Sequence, residues 1–229
     1  MEMMNSKQLT LVADSGSTKT DWMVAETGQT FHTQGLNPVL MSEEDIVGIL
    51  QRELVPQLDV LLPQMVAGCS LSVFFYGAGV RPDAEGTMQR AIARAVGYQE
   101  LVAGRTWAEQ PKVSAASDLL GAARALCGHH EGIACILGTG ANSCLFDGEQ
   151  IVANTPALGF ILGDEGGGAA LGKRFLNAIF KGLLPAAMRD LPAASMSSSP
   201  APRSPFRRIM TRPSSLGREP SSMWRTSSW

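Results

Sequence analysis

One local design occurs twice in this chain, and it limits the folds open to it. A short apolar run at residues 8–13 ends in Asp14 and passes through the turn Ser15-Gly16-Ser17-Thr18-Lys19-Thr20. It returns as a second apolar run at 21–25 that holds Trp22, Met23 and Val24. About 120 residues later, the run 132–137 leads into Gly138-Thr139-Gly140-Ala141-Asn142 and out again through 143–146. Short apolar runs bounded by Gly, Ser and Asn read as strands. A tight turn between two strands exposes backbone N–H groups and hydroxyls that suit phosphate oxygens. Taken singly, each turn reads equally as an ordinary hairpin, because Gly-rich turns are common. Together they point to two domains that grip one nucleotide. The first turn is not a Walker A loop, since GxxxxGK[ST] is absent. Asp14, at the strand end, is placed to hold Mg²⁺ through water.

The remaining pattern alternates. Residues 29–34 read as a third strand. Ser42 with Asp45 opens a helix that runs through Ile46, Ile49, Leu50 and Leu54 to about residue 56. Residues 71–76 form a buried strand, 83–96 a helix, and 101–103 a short strand. Residues 117–126 form an Ala/Leu-rich helix with Asp118 in its first turn. Asp147-Gly148 is a hairpin turn, and 163–180 is Gly-rich and then helical. This order predicts an α/β architecture with a second unit beginning near residue 131. Asp118 has two readings: a general base for a hydroxyl nucleophile, or an acid that complements the helix dipole. Three glycines follow Asp164-Glu165. Gly costs ~1 kcal/mol per helical position, so such a run fits a place where a ligand approaches backbone.

Composition narrows the class. The chain has 229 residues, 45% of them hydrophobic, and a net charge of −2. That charge excludes a general basic field for nucleic acid. The four cysteines, Cys69, Cys127, Cys135 and Cys144, show no CxxC spacing and fit a reduced cytosolic setting. Only His32, His129 and His130 are available beside them for zinc, and His129-His130 read as a polar helix end. No signal peptide is seen at the start. No apolar run approaches the ~20 residues of a membrane span. The expected location is therefore cytoplasmic, with no membrane partner. Residues 1–185 hold 12 Lys+Arg and 19 Asp+Glu, a balance of −7, whereas 186–229 hold 7 Arg and two acids, a balance of +5. Those last 44 residues carry 11 Ser and 6 Pro, and no period survives in them. Such a composition cannot bury enough apolar surface to fold. It is read as a disordered tail, a basic arm or an out-of-frame segment. It lacks RGG repeats and aromatic interleaving, so nucleic-acid binding is not expected.

The two loops, Asp118 between them and Gly163-Asp164-Glu165-Gly166 after them resemble the sugar-kinase branch of the actin/Hsp70/hexokinase superfamily. More narrowly, they resemble N-acetylglucosamine kinase and the BadF/BadG/BcrA/BcrD ATPase family. The resemblance covers about residues 8–185. It implies an actin-like ATPase (ribonuclease H-like) fold, with an N-terminal domain at 1–130 and the start of a second at 131–185. It implies ATP and Mg²⁺ as cofactors and a small-molecule sugar as partner, with a homodimer as the common state of the family. Carried onto this sequence, it makes Asp14 the metal site. Ser15, Gly16, Ser17, Thr18 and Lys19 form the first phosphate loop, and Gly138, Thr139 and Gly140 the second. It makes Asp118 the base. Asn37, Asp118, Thr139, Asn142, Gly159 and Asp164 become sugar contacts. The implied reaction is transfer of a phosphoryl group from ATP to an amino sugar such as N-acetylglucosamine or glucosamine, at the 6-hydroxyl. Two alternatives accompany it: an ATPase activator of a 2-hydroxyacyl-CoA dehydratase, and a non-catalytic sugar-binding regulator. Family members run to roughly 300 residues, and the family pattern here is lost after residue 185. The expectation is a C-terminally truncated or frameshifted kinase with weak turnover.

Overall fold

The computed structural model describes residues 8–61, 69–97, 107, 109–155 and 157–184. The described residues all belong to one compact unit. The strand expected at 101–103 and the Ser/Pro/Arg-rich segment lie outside them.

The first sheet is built on β1 (Gln8–Ser15), whose residues alternate strictly between two faces. It pairs antiparallel with β2 (Lys19–Val24), which pairs with β3 (Thr30–Gln34). On its other side β1 pairs parallel with β4 (Ser70–Gly77), and β4 with β5 (Lys112–Ser117). The order is β3-β2-β1-β4-β5. Leu9, Leu11, Ala13, Trp22, Phe31, Val73 and Phe75 share one face and form the core with the helices α1 (Glu43–Glu53) and α3 (Glu85–Val96). Trp22 and Phe75 pack ring to ring with centroids 6.0 Å apart. The other face carries the residues of opposite parity: Asp14, Asp21, His32 and Tyr76 sit side by side on four neighbouring strands. One face of the sheet makes the core, and the other makes the site.

α1 begins with the expected capping box. Ser42 Oγ accepts from the Asp45 N–H at 3.1 Å, and the Asp45 carboxylate accepts from the Ser42 N–H at 3.3 Å. The single helix expected to about residue 56 is broken at Leu54. It continues as α2 (Val55–Leu61), with Pro56 in a first turn where no N–H is required. β5 lies where no strand is expected from the sequence. Its segment, Lys-Val-Ser-Ala-Ala-Ser, has too little apolar bulk to alternate, and it is a strand because β4 pairs along its whole length.

α4 (Asp118–Cys127) joins this sheet to a second one. The second sheet is an antiparallel meander of β6 (Gly132–Leu137), β7 (Ala141–Phe146) and β8 (Ile151–Thr155). The boundary expected at 130/131 falls between α4 and β6. Leu119 and Ala123 of α4 pack with Ala134, Cys144 and Phe146. A short turn, α5 (Gly159–Leu162), and α6 (Gly168–Phe180) follow. The stretch 163–180 is Gly-rich and then helical as expected, with α6 beginning at Gly168. α6 has an apolar stripe but no buried residue, and Leu171, Leu176, Ile179 and Phe180 are exposed. No described helix is long and apolar enough to cross a membrane.

The two ends of this description differ in energy. Trp22→Ala empties a fully buried site and is expected to cost about 3–5 kcal/mol. Ser42→Ala removes only a cap and is expected to cost about 1 kcal/mol. Urea unfolding midpoints of the two variants measure the contrast.

Candidate active site

β1, β4 and β5 run parallel, so their C-terminal ends lie together. Asp14 stands opposite Tyr76, and Tyr76 opposite Ala116. One step further, Ser15 stands opposite Gly77, and Gly77 opposite Ser117. Ser117 is the N-cap of α4, its Oγ accepting from the Leu120 N–H at 3.2 Å. Asp118 follows directly. The carboxyl ends of parallel strands are the usual place for ligands in α/β sheets, and here they gather Asp14 and Asp118.

The two carboxyls feel burial and each other. Burial, then the charges of Asp118 and Asp21, push Asp14 from its ordinary 3.8 up to about 6, with Lys19 opposing. Burial also raises Asp118, while the N–H groups of Leu119 and of Asp118 itself hold it down. The Leu119 N–H donates to Asp118 Oδ1 at 2.8 Å. The repulsion between the pair is expressed on Asp14. Among the described residues, no group of three or more His, Cys, Asp or Glu side chains is set to hold a metal. Mg²⁺ does not need one, since it keeps several waters and takes one or two carboxylates plus substrate phosphates. A partly buried carboxyl crowded by two other acids fits such a cation, which relieves the repulsion.

The first loop is built by its neighbours. The Gly16 N–H closes the turn onto the Lys19 carbonyl at 2.9 Å. Gly16, Ser17 and Thr18 are exposed. Ser15 is different. It is fully buried, and its hydroxyl is occupied by Thr20 Oγ1 at 2.8 Å and by the Leu36 N–H at 3.0 Å. Its side chain builds the loop rather than lining it. Gly35 has to be glycine, because a Cβ there would stand 2.5 Å from the Gly16 carbonyl oxygen. That contact brings Asn37 to the site. Asn37 Oδ1 accepts from the Val39 N–H at 2.9 Å, and the side chain lies over Gly79.

Lys19 does not point free. Its ammonium lies 3.0 Å from Asp21 Oδ2, and His32 Nδ1 also meets the Asp21 carboxylate. No motif in the sequence marks Asp21 or Tyr76, and His32 stands out there only as a weak zinc candidate. Tyr76 supports α4: Gly121 sits against its ring, and Arg124 reaches its hydroxyl at 3.2 Å. Strand parity was the signal available. Asp14, Asp21 and His32 all belong to the face that the core residues avoid.

The second loop is held by the segment after it. The Gly138 N–H bonds the Gly140 carbonyl at 2.9 Å. Asp164 Oδ1 accepts from the Ala141 N–H at 3.1 Å, and its carboxylate lies where a Gly140 Cβ would go. Gly168 and Ala169 donate to the carbonyls of Gly138 and Thr139 at 2.7 and 3.0 Å. A Cβ on Gly167 would strike Gly140, and one on Gly168 would press on Gly138. The glycine run thus serves a close approach of backbone to backbone. Asp164 has φ +60°, a left-handed backbone. Asn142 Oδ1 accepts from Asn154 Nδ2 at 3.0 Å. Gly159, at φ +71°, opens the exposed turn of α5. The predicted residues therefore fall into two groups, one on each sheet. α4 touches both sheets.

This pair of loops and this sheet order are those of the actin-like ATPase fold. No family model matches it, and no curated protein does. Among solved structures, it is 40% identical to a candidate N-acetylglucosamine kinase from Porphyromonas gingivalis, with a TM-score of 0.62. That match covers 82% of this chain and 64% of the other, so the chain spans somewhat under two thirds of that protein. Two more distant structures show the shared fold. One is a ROK-family transcriptional regulator homologous to the E. coli Mlc protein: 14% identity, 84% of this chain, 55% of that chain, TM-score 0.53. The other is a non-polymerising MamK mutant bound to AMPPNP: 14% identity, 77% of this chain, 60% of that chain, TM-score 0.50.

The shift on Asp14 fixes the sign of a pH effect. A raised folded pKa favours the neutral acid in the native state. The resulting penalty is absent below the unfolded value of 3.8, grows as pH rises, and is complete above about 6. Asp14→Asn is therefore expected to be more stable than the parent at pH 7.5 without Mg²⁺, and equal to it at pH 3.5. Urea midpoints at the two pH values test this.

Proposed function

We propose that this chain carries the active-site half of an ATP-dependent sugar kinase acting on an amino sugar, N-acetylglucosamine or glucosamine, at the 6-hydroxyl. The observation that supports it most is the 40% identity to a candidate N-acetylglucosamine kinase over 82% of this chain. The pairing of Asp14 and Asp118 at one strand edge agrees with it.

In this reading, Asp118 accepts the proton of the attacking hydroxyl. Its raised pKa suits it, because a base works best with a pKa nearer the working pH. Its hydrogen bond from the Leu119 N–H keeps one oxygen fixed and leaves the other for substrate. The exposed backbone of Gly16, Ser17 and Thr18, with Gly138, Thr139 and Gly140, orients the phosphates. Asp14 would hold Mg²⁺, which would supply positive charge to the phosphoryl oxygens. Asn37, Asn142 and Asp164 bind sugar hydroxyls with the polar atoms their local bonds leave open.

Two measurements test the proposal. MgATP with N-acetylglucosamine or glucosamine is expected to raise the thermal unfolding temperature and to release ADP in a coupled assay. A chain that responds to neither sugar, while other hexoses are turned over, assigns the wrong substrate. Asp118→Asn is expected to lower kcat by about 10²–10⁴ with little change in KM for ATP. An unchanged kcat removes Asp118 from the chemistry.

A further inference from the structure

The ammonium of Lys19, assigned to the phosphate loop, is engaged elsewhere. Lys19 Nζ lies 3.1 Å from Asp21 Oδ1 and 3.0 Å from Oδ2. His32 Nδ1 donates to Oδ1 of the same carboxylate. The Asp21 side chain is 5% exposed, against 44% for Lys19 and 58% for His32. Topology brings the three together. Asp21 and His32 are register partners on β2 and β3, and Lys19 stands two residues before Asp21 on the same face. Asp14 stands opposite Asp21 on β1, so a second acid adjoins the first.

A carboxylate buried this deeply needs a partner, because leaving it unpaired is costly. Asp21 has two partners, and they differ in freedom. His32 is a short side chain fixed by strand pairing. Its Nδ1 can donate both as the imidazolium and as the Nδ1–H tautomer of the neutral ring. Lys19 is a long, flexible stem with a point charge at its tip, rooted at the edge of the phosphate loop. For Lys19 to reach a phosphate it must leave Asp21, and only His32 then remains on the buried oxygens.

We infer that Asp21 is a docking point that holds Lys19 back from the phosphate loop until a nucleotide binds. His32 is the positioning residue that makes its release affordable, by keeping Asp21 partnered when the ammonium moves to a nucleotide phosphate. The inference rests on the nucleotide reading of the first loop. It assigns His32 to phosphate affinity although His32 touches no phosphate.

Equilibrium titration of the full chain with MgATP and, separately, with adenosine tests it. His32→Leu is expected to weaken MgATP binding by about tenfold, in line with loss of a hydrogen bond to a charged group, and to leave adenosine binding unchanged. His32→Asn, whose amide nitrogen takes the Nδ1 position, is expected to restore it. In a Lys19→Met background, His32→Leu is expected to change MgATP binding by less than twofold, since no ammonium has to be released. Equal MgATP affinity in the parent and His32→Leu overturns the inference alone. So does a tenfold loss that persists without the lysine, or one that His32→Asn does not restore. A parent chain that binds no MgATP overturns the nucleotide reading and this inference with it.

Discussion

The parallel pairing of β1 with β4 fixes everything that follows at the site. It sets Asp14 beside Tyr76 and Ser15 beside Gly77. β5 extends the same register to Ser117, the cap that starts α4. Because side chains alternate along a strand, the residue that follows Ala13 must leave the core and face the other way. The acid therefore emerges where the sheet ends and a helix begins. The same parity carries Asp21 and His32 onto that face from β2 and β3. The opposite face carries the apolar core, with Trp22, Phe75 and Leu11 fully buried, and its few buried polar groups, Ser15, Thr20 and Thr33, are hydrogen-bonded.

Much of this was legible in the sequence, and for a physical reason. Strands such as 8–13 and 71–76 carry enough apolar bulk to declare themselves, and Ser42 with Asp45 marks a helix start by local hydrogen bonding alone. What escaped depends on distant partners. β5 is a strand of small residues that exists because β4 offers a pairing edge. The break at Leu54 falls at a residue wholly buried in the core. Ser15 shows the limit for site residues: nothing local says that its hydroxyl is consumed by Thr20 and Leu36. Lys19 shows it again, since its partner Asp21 was visible but their contact was not. Within the first loop the sequence marks one glycine, Gly16. Gly35, outside the loop, proves as necessary, because it lets the 35–37 segment press against Gly16.

The second loop follows another logic. The first is braced by side chains from its own sheet and the strap behind it. The second is braced by backbone from α6, through Gly167 and Gly168, and by the carboxylate of Asp164. An acid and a glycine run that looked like two features form one clamp. The left-handed backbone of Asp164 belongs to that clamp: it turns the chain so that its carboxylate reaches Ala141 while the next residues enter α6.

α4 lies between these two constructions. On one side Gly121 and Arg124 rest on Tyr76, and on the other Leu119 and Ala123 fill the core of the second sheet. A helix wedged in this way behaves as a shared axle. Rotation of one sheet against the other has to be taken up along α4, and its first residue is Asp118. The carboxylate of Asp118 and the packing of the second sheet thus share one helix, so a change in that packing reaches the carboxylate.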